Sequence, residues 1–520
     1  MEPNSRSERV RDRIDQLLAW LALAMAAGCV FLANQRFGSA VMGVAFQDDF
    51  YYYATVARNL ALHGRSTFDG IHLTNGYHPL WLGILTVLMW LSRASDQRFA
   101  LMVECVQSAL LGAAALFAFR IARRFCSVPW AVTIQLLAAS VVLIQLRSGM
   151  ESGLAVAAGL ALLAYRTSGS FSWTTRRAFL YGLLAATLIL SRLDAGLLVL
   201  LLMVFDVTPA ARRREATRTG AAAFVTGLFP VALYLCVNAV IFGAMLPLSG
   251  TAKQLRRHHT PSVQSLSSFR EQIFHGKSPV YGLFAVLVVV ALVSLLARRS
   301  RTAAPAPGVI VAVLLFPFVQ MLLVSCMSDW PVWDWYLYPW PIAGVFACGL
   351  LVRLAAGRIR LMDRAGQAAF AVSLVLFATY TLLLLSGTNP AQSLTYLAGK
   401  DVQRFAAEHP GRYAMGDRAG AVGYLSSEPP IQLEGLMMDK PFLQNIREEK
   451  DLRTVLRSYG VRYYISTEYP DKLGRCVEAR EPVQAGPDSP VMRGTICGTP
   501  LAVFPHGYLT NRIFDVSSPD

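Results

Sequence analysis

Several short signatures of catalytic proteins are missing from this sequence. It has no Walker-type loop and no Gly-x-Gly-x-x-Gly stretch, which argues against ATP-driven work. It also has no His-Glu-x-x-His motif and no serine-hydrolase elbow. None of the eight cysteines has the Cys-x-x-Cys spacing of zinc ligands. An energised substrate must therefore come from elsewhere, for example as a lipid-linked compound.

Charged side chains are scarce as well. They make up 16% of the 520 residues, against 54% apolar residues, and the mean hydropathy is +0.42. The charges lie mostly between runs of about 18 or more apolar residues, each long enough to cross roughly 30 Å of hydrocarbon. This pattern predicts a polytopic α-helical membrane protein.

The net charge of +15 is unevenly distributed. Residues 1–387 contain 33 Lys and Arg against 17 Asp and Glu, whereas residues 388–520 contain 15 against 16. The positive excess therefore belongs to the short loops of the membrane part, as the positive-inside rule describes. This distribution argues against a nucleic-acid partner.

Arginine clusters alternate along the chain with loops that are not strongly basic, and this alternation predicts the topology. With the clusters in the cytoplasm the chain makes 11 crossings, or 13 in a version with a missed helix. The run 79–92 has only about 14 residues and is expected to insert half-way. The predicted crossings are 17–37, 100–119, 130–146, 154–165, 179–190, 195–207, 221–242, 280–297, 309–327, 336–352 and 368–386.

The N-terminus has four arginines before the first apolar run and no small-residue cleavage site. We interpret it as an uncleaved signal anchor with a cytoplasmic N-terminus, in the inner (plasma) membrane. The odd number of crossings then places the C-terminal tail outside the cytoplasm. The chain divides into a membrane domain, 1–387, whose first outer loop is 38–99, and a soluble domain, 388–520.

The tail is predicted to be a small α/β domain. Short strand-like segments alternate in it with amphipathic helical segments. The strands are expected at 413–415, 431–433, 463–466 and 501–504, and the helices at 401–408 and 442–459. The only two cysteines of the tail, Cys476 and Cys497, are expected to pair in an oxidising compartment.

The first outer loop contains the densest polar stretch, FQDDFYYYATVARNLALHGRSTFDGIHLTNGYHPLW, at 46–81. The adjacent carboxylates of Asp48 and Asp49 repel each other and need a cation, a donor network or a metal. One of them can cap the helix expected at 51–62, or act as a general base towards a substrate hydroxyl. The two roles are compatible.

Other residues of this loop also have a structural and a functional interpretation. Tyr51 belongs to three consecutive tyrosines, which suit an interfacial aromatic belt or contacts with a sugar or phosphate. Arg58 follows two turns after the acidic pair and either faces solvent or reaches a site. His78 directly precedes Pro79, close to lipid, and is the histidine of this loop expected nearest to a site.

Ionisable residues at helix ends on the same outer face are the second indication of a site, because charges near membrane depth are costly. Lys253 lies in a loop whose free amides and ammonium group suit a phosphate, although it can also be a snorkelling lysine. Tyr336 belongs to a tryptophan-rich cluster that forms either a belt or a wall against a lipid or sugar. The other outer-face candidates are Arg147, Glu151, Arg192, Asp194, Asp329 and Asp334.

These segments occur in a recognisable order. QDDFYYYATVARN, NGYHPLW, RSGMES, SRLD, LPLSGTAK and WDWYLYPWP share the predicted outer face, and GDRAGAVGYLS and IQLEGL follow in the tail. In this combination the chain resembles the GT-C class of integral-membrane glycosyltransferases, which use polyprenyl-phosphate sugars. This class includes relatives of the protein O-mannosyltransferases and aminoarabinose transferases.

The resemblance implies a GT-C architecture and a set of roles. Asp48 is the first choice for the general base and Asp49 the second. Lys253 corresponds to the cation near the lipid phosphate, and Arg58 and Arg192 are weaker choices. The implied reaction is an inverting displacement, in which an acceptor hydroxyl of a glycan, lipid or protein attacks as polyprenyl phosphate leaves. No cofactor is implied with certainty, and a divalent metal stays open.

Two other classes compete with this interpretation. A transporter or lipid flippase usually shows inverted repeats and broken helices near the midplane. This sequence shows no repeat, and its ionisable residues gather on one face, which favours the enzyme. The third class is a non-catalytic membrane scaffold that presents the tail, for which Asp48 would be dispensable.

Overall fold

The computed structural model describes residues 46–169, 171–212, 218–276, 278–297, 306–356, 362–386, 390–468 and 476–517, and scattered residues between 10 and 43. The signal anchor and first crossing predicted at 17–37 therefore lie largely outside the described residues. The described part is a helical bundle followed by a mixed α/β region.

The helices are numbered in chain order. They are α1 Asp48–His63, α2 Pro79–Leu91, α3 Asp96–Ala122, α4 Val128–Arg147, α5 Ser152–Arg166, α6 Thr175–Ser191, α7 Gly196–Leu202, α8 Thr208–Arg212, α9 Arg218–Gly227, α10 Phe229–Phe242, α11 Leu248–Lys253, α12 Val263–Phe274, α13 Pro279–Ala297, α14 Pro307–Met327, α15 Pro339–Ala356, α16 Met362–Ser386, α17 Pro390–Glu408, α18 Ala419–Leu425, α19 Lys440–Arg447 and α20 Leu452–Ser458.

Six helices of the described part are long and apolar enough to cross a membrane, or seven if a bent pair counts as one span. Their ranges are Asp96–Ala122, Val128–Gln145, Leu193–Ala210, Pro279–Ala297, Pro307–Met327 and Asp334–Ala356. Polytopic helical architecture is confirmed, but the count of 11 stays a prediction. Helices α2 and α5 are apolar yet shorter than a full span.

The bent pair is α9 and α10, which meet at 40°. Pro230 stands in the first turn of α10, where it has no amide proton to continue the preceding helix. Gly227 ends α9, and a Cβ there would approach the carbonyl oxygen of Phe179 to 2.5 Å. The predicted single span 221–242 is therefore broken into two helices. The break lies where α9 packs closely on α6 and where a proline begins α10.

The C-terminal region is built on a five-stranded sheet with strand order β2-β1-β3-β7-β6. Strand β1 pairs in parallel with β2 and β3, while β7 is antiparallel to both β3 and β6. A separate hairpin pairs β4 with β5. The strands are β1 Tyr413–Met415, β2 Ile431–Gln432, β3 Tyr463–Glu468, β4 Cys476–Glu481, β5 Met492–Cys497, β6 Ala502–His506 and β7 Leu509–Asp515.

All four predicted strands are present, and the predicted α/β character is confirmed. The Cys476–Cys497 disulfide is also present, at the open end of the β4–β5 hairpin. The helix predicted at 442–459 is wrong as a single element. It is two helices, because Asp451 accepts a hydrogen bond from the amide of Thr454 and starts α20 afresh.

The first outer loop and the sheet domain share one apolar core. Phe50, Trp81, Tyr413 and Ile465 belong to a single buried cluster. Trp81 also donates from its indole nitrogen to the carbonyl of Gly149, which anchors α2 to the turn before α5. This packing holds the first outer loop between the membrane helices and the sheet domain.

Candidate functional site

A cavity of about 340 Å³ lies where one end of the helical bundle meets the sheet domain. Its wall comes from α1, from the turns before α2, α5 and α7, from α11, from the end of α14 and the segment that follows it, and from one loop of the sheet domain. Its polar and aromatic lining includes Asp49, Tyr52, Tyr53, His78, Glu151, Arg192, Asp194, Lys253, Trp330, Trp335 and Tyr336.

A buried ionic network forms one side of the cavity. The guanidinium of Arg192 donates to Glu151 at 2.7 Å and to Asp194 at 3.0 Å. Arg192 and Glu151 are 2% and 1% exposed, so each charge depends on its partners. The Tyr336 ring lies 4.6 Å from the guanidinium. The two carboxylates neutralise Arg192, which makes it a poor choice for binding a further anion alone.

His78 is fixed in one orientation beside this network. Its Nδ1 accepts a hydrogen bond from the amide of Leu193 at 3.2 Å, and its Nε2 lies 3.5 Å from Glu151. Burial lowers the pKa of His78, outweighing the nearby Glu151 charge. A neutral imidazole that accepts at Nδ1 carries its proton on Nε2. His78 therefore presents an N–H towards Glu151 at the cavity wall.

Tyr53 contacts both Glu151 and His78 on this side of the cavity. Its hydroxyl donates to Glu151 at 3.0 Å and accepts from the His78 amide at 3.1 Å. Each oxygen of the Glu151 carboxylate thus has a donor. Glu151 is an organising residue of the site rather than a free base.

Lys253 lies across the cavity at the end of α11. Its ammonium donates to the Tyr336 hydroxyl at 3.3 Å and lies 5.7 Å from the Trp330 ring centre. Burial lowers the pKa of Lys253, but the electrostatic effects of Tyr336 and Asp49 outweigh burial, and the net pKa is raised. The lysine therefore remains protonated. It has no carboxylate within ion-pair distance among the described residues, unlike Arg192.

Asp49 also lines the cavity, from the first turn of α1. Burial raises its pKa to about 6, Lys253 opposes that rise, and the charges of Asp417, Glu151 and Asp334 add to it. A carboxylate with this pKa is ionised near neutral pH and still basic enough to accept a proton.

Asp48 faces a different environment. Its two carboxylate oxygens accept hydrogen bonds from the amides of Gly420 and Ala421, at 3.0 and 2.9 Å, in the first turn of α18. Burial raises the pKa of Asp48 to about 7 against the effect of these amides. Asp48 therefore caps a helix of the sheet domain. It does not cap its own helix, whose N-cap is Gln47.

Two predicted donor-site residues lie away from the cavity. The Tyr51 hydroxyl donates to the carbonyl of Met42, and its ring packs against Tyr396 and Tyr424. Arg58 donates to the Tyr424 carbonyl at 2.8 Å. Both residues bind the sheet domain, because their positions on α1 face α18 instead of the cavity.

The remaining predicted residues divide as follows. Tyr336 and Asp194 line the cavity, and the amide of Gln320 donates to Asp194 at 3.2 Å. Asp334 is buried behind the wall and acts on Asp49 through its charge. The Arg147 side chain lies outside the described part. Within the described residues, no group of three His, Cys, Asp or Glu side chains is arranged to hold a metal ion.

Sequence patterns missed part of the wall. Leu436 and Met437 reach the cavity from the sheet domain, and Tyr52 and Tyr53 reach it from α1 in place of Tyr51. The helical period of 3.6 residues would have separated the tyrosines once Asp49 was known to face the cavity. No local signal marks Leu436 or Met437, because their role depends on how the sheet domain docks.

Comparison with solved structures identifies the fold. ArnT from Cupriavidus metallidurans, bound to undecaprenyl phosphate, is 13% identical with a TM-score of 0.58, over 96% of this chain and 99% of that chain. The apo oligosaccharyltransferase of Archaeoglobus fulgidus is 12% identical with a TM-score of 0.51, over 86% of this chain and 69% of that chain. No protein-family model and no curated protein matches the sequence. The predicted resemblance to the GT-C class is confirmed at the level of the fold.

Proposed function

We propose that the protein is a multi-pass membrane glycosyltransferase that moves a sugar from a polyprenyl-phosphate donor to a hydroxyl-bearing acceptor of the cell envelope. The observation that carries this proposal is that Asp49 and Lys253 line the same cavity, at one end of the helical bundle. A weakly acidic carboxylate and a protonated amine are the two groups that such a transfer requires. The shared fold with ArnT, solved with undecaprenyl phosphate, supports the same conclusion.

In this reaction Asp49 is the general base, and Asp48 is not. Asp49 accepts the proton of the acceptor hydroxyl while the acceptor oxygen bonds to the anomeric carbon. The bond between that carbon and the phosphate oxygen breaks on the opposite face, which inverts the configuration. Asp48 is engaged with two amides of α18 and is not part of the cavity lining, which Asp49 joins.

Lys253 stabilises the negative charge that develops on the departing phosphate. Arg192 is a less suitable partner, because Glu151 and Asp194 already compensate its charge. Its role is to hold the two carboxylates and the Tyr336 ring in place. The apolar residues Leu323, Val324 and Met327 extend the wall from α14 and suit the first isoprene units of the donor.

The test is transfer from radiolabelled polyprenyl-phosphate sugars in membranes that contain the protein or its variants. We expect Asp49→Asn to slow transfer by about 10² to 10⁴, the usual contribution of a general base. Asp48→Asn is the matched control and should transfer within a few-fold of the unmodified protein. Lys253→Ala should weaken binding of undecaprenyl phosphate at least about tenfold, since a hydrogen bond to a charged group contributes roughly 1.5–3 kcal/mol.

Several outcomes would overturn the proposal. If folded Asp49→Asn transfers sugar at the unmodified rate, the base is a different residue. If no label leaves the lipid carrier in any membrane that contains the protein, the enzyme assignment fails. Movement of the intact lipid-linked sugar across the membrane of vesicles that contain the protein, without transfer of the sugar, would instead identify a flippase.

A further inference from the structure

Tyr52 is a buried residue of the cavity wall that has no role in the reaction as proposed so far. It is 2% exposed and lines the cavity from α1, three positions after Asp49. Side chains three positions apart on a helix are neighbours on one face, so Tyr52 and Asp49 reach the cavity from the same side. Tyr53 points in a different direction, towards Glu151 and His78. Tyr52 therefore belongs to the surroundings of the proposed general base.

The hydroxyl of Tyr52 accepts a hydrogen bond but does not donate one within the described part of the chain. Its oxygen accepts from the amide of Ala419, at 3.1 Å, at the start of α18. Among the described residues, no side chain or carbonyl accepts the hydroxyl hydrogen. The Tyr53 hydroxyl, by contrast, both accepts and donates. A buried donor without a partner costs free energy, and an oxygen of a bound substrate would remove this cost.

The surroundings keep this hydroxyl in its donating form. Burial and the charge of Asp48 raise the pKa of Tyr52 well above its usual value, and Glu434 and Asp49 act in the same direction. The phenol therefore keeps its hydrogen throughout the physiological pH range. Because its oxygen is held by the Ala419 amide, the position of this donor is fixed before a substrate binds.

The direction of the displacement decides which substrate this hydrogen serves. The acceptor oxygen attacks from the side of Asp49, while the phosphate oxygen leaves on the opposite face of the anomeric carbon. The cation for the phosphate is Lys253 of α11, whose ammonium contacts Tyr336. Tyr52 is the helical neighbour of Asp49 instead, so its hydroxyl serves the acceptor.

The attacking oxygen of the acceptor is an unsuitable partner for Tyr52. A hydrogen bond to it would occupy a lone pair of the atom that must form the new bond. A second hydroxyl of the same acceptor has no such disadvantage, because its oxygen can accept from Tyr52 while the first hydroxyl gives its proton to Asp49. A sugar residue has several hydroxyl groups close together, whereas a serine, a threonine or a simple lipid alcohol has one.

We propose that Tyr52 is a specificity-determining residue that donates its hydroxyl hydrogen to a second hydroxyl of the acceptor, and that the acceptor is a sugar residue. The inference rests on the proposed transferase function and deepens it, since that function requires only one hydroxyl on the acceptor. The covalent step is unchanged. The hydrogen bond from Tyr52 orients the acceptor so that its first hydroxyl meets Asp49.

The first test removes this hydrogen bond. In Tyr52→Phe we expect transfer in membranes to slow by about tenfold, the upper contribution of a hydrogen bond between neutral groups. Binding of undecaprenyl phosphate to the purified protein, followed by native mass spectrometry, should be unchanged. The rate should still rise with pH through about 6, because Asp49 is the group that titrates. Transfer by folded Tyr52→Phe at the unmodified rate would overturn the proposal.

Tyr424→Phe is the matched control, because it also removes a hydroxyl that connects α18 to the helical part. Tyr424 donates to Asp96 at 2.5 Å and is not part of the cavity lining. Its transfer rate should stay close to the unmodified rate. Equal slowing in the two variants, or a loss of undecaprenyl phosphate binding in Tyr52→Phe, would show that Tyr52 only holds α18 in place. A displaced pH curve in Tyr52→Phe would show that it acts through Asp49, and would also overturn the proposal.

The second test uses the unmodified protein, so it does not depend on the folding of a variant. The labelled product is isolated from membranes, methylated and analysed by mass spectrometry. The new bond should lie on a sugar residue that has at least one further free hydroxyl. Label on a serine, a threonine or a simple lipid alcohol would overturn the acceptor class and leave the transferase function intact. Absence of transfer by the unmodified protein would instead refute the proposed function itself.

Discussion

Asp48 and Asp49 show that a shift of one position along a helix changes the direction in which a side chain points. Successive side chains on a helix point about 100° apart, so adjacent carboxylates cannot share a direction. Asp48 turns towards α18 and binds its amides, while Asp49 turns into the cavity. The sequence predicted a role for the pair. It could not choose between the members, because the choice depends on where the sheet domain docks.

The pH dependence of transfer should report Asp49. Burial raises its pKa to about 6, so the carboxyl is protonated below that pH and cannot accept the acceptor proton. Transfer should therefore rise with pH through about 6 and level off above it. The measurement is the initial rate between about pH 5 and pH 8 at saturating donor. A rate that is flat across this range in protein that stays folded would contradict the assignment.

Other residues show the same limit on sequence-based inference. Lys253, Arg192, Glu151 and Asp194 were predicted from the cost of charges near membrane depth, and the structure brings all four to the cavity. Arg58 was chosen for its distance from the acidic pair along α1. It lies on the face that meets α18, a partner more than 350 positions later in the chain.

At the scale of elements, the pattern of apolar residues predicted those helices and strands that form because their apolar side chains are buried. The long apolar runs and the hydrophobic strands β1, β2 and β3 were found because their residues are buried on contact with neighbours of any kind. Strand β7 was missed because Thr510, Asn511 and Arg512 are polar, yet all three are buried in the centre of the sheet domain. Their burial follows from pairing between β3 and β6, which a local window does not contain.

The close contact between the turn before α2 and the loop after β2 gives a stability prediction. In Gly76→Ala the added Cβ would lie 1.9 Å from a backbone oxygen of Leu436, so the loop must move. Overpacking of this kind costs about 1–3 kcal/mol. Thermal unfolding of the purified protein in detergent should show a lower midpoint, together with reduced transfer because the wall is displaced.

The control for this variant is Gly83→Ala, on the same structural unit. A Cβ at Gly83 meets nothing within 4 Å, and the residue lies inside α2, where alanine is the better helix former. Its midpoint should be unchanged or higher. Equal thermal-unfolding midpoints for the two variants would show that the loop after β2 can move at little cost and is not fixed against the first outer loop.

At the scale of the whole molecule, contacts from several segments at one end of the bundle hold the sheet domain over the cavity. Asp329 accepts hydrogen bonds from Asp488 and Ser489 in the connection between β4 and β5, and Arg256 forms an ion pair with Asp488. Together with the Asp48 contact, these bonds join the sheet domain to the same face from which the cavity is built. The segments were predicted to share a face from charge alternation, and the structure brings them together there.

This arrangement leads to a prediction about membrane sidedness. Helix α5 starts beside Glu151 at the cavity and ends at Arg166, which pairs with Asp206 at 2.6 Å. Its 15 residues span about 22 Å, so Arg166 lies near the opposite end of the bundle from the cavity. Since arginine-rich ends stay in the cytoplasm, the cavity and sheet domain should lie outside it.

Fusions to reporter enzymes provide the measurement. Alkaline phosphatase at the C-terminus should be active and a fluorescent protein there should be dark, because the sheet domain is exported. The matched fusions after Ser168, just beyond Arg166, should behave in the opposite way. A fluorescent C-terminal fusion with inactive phosphatase would place the cavity in the cytoplasm. The charge alternation would then no longer account for the position of the site.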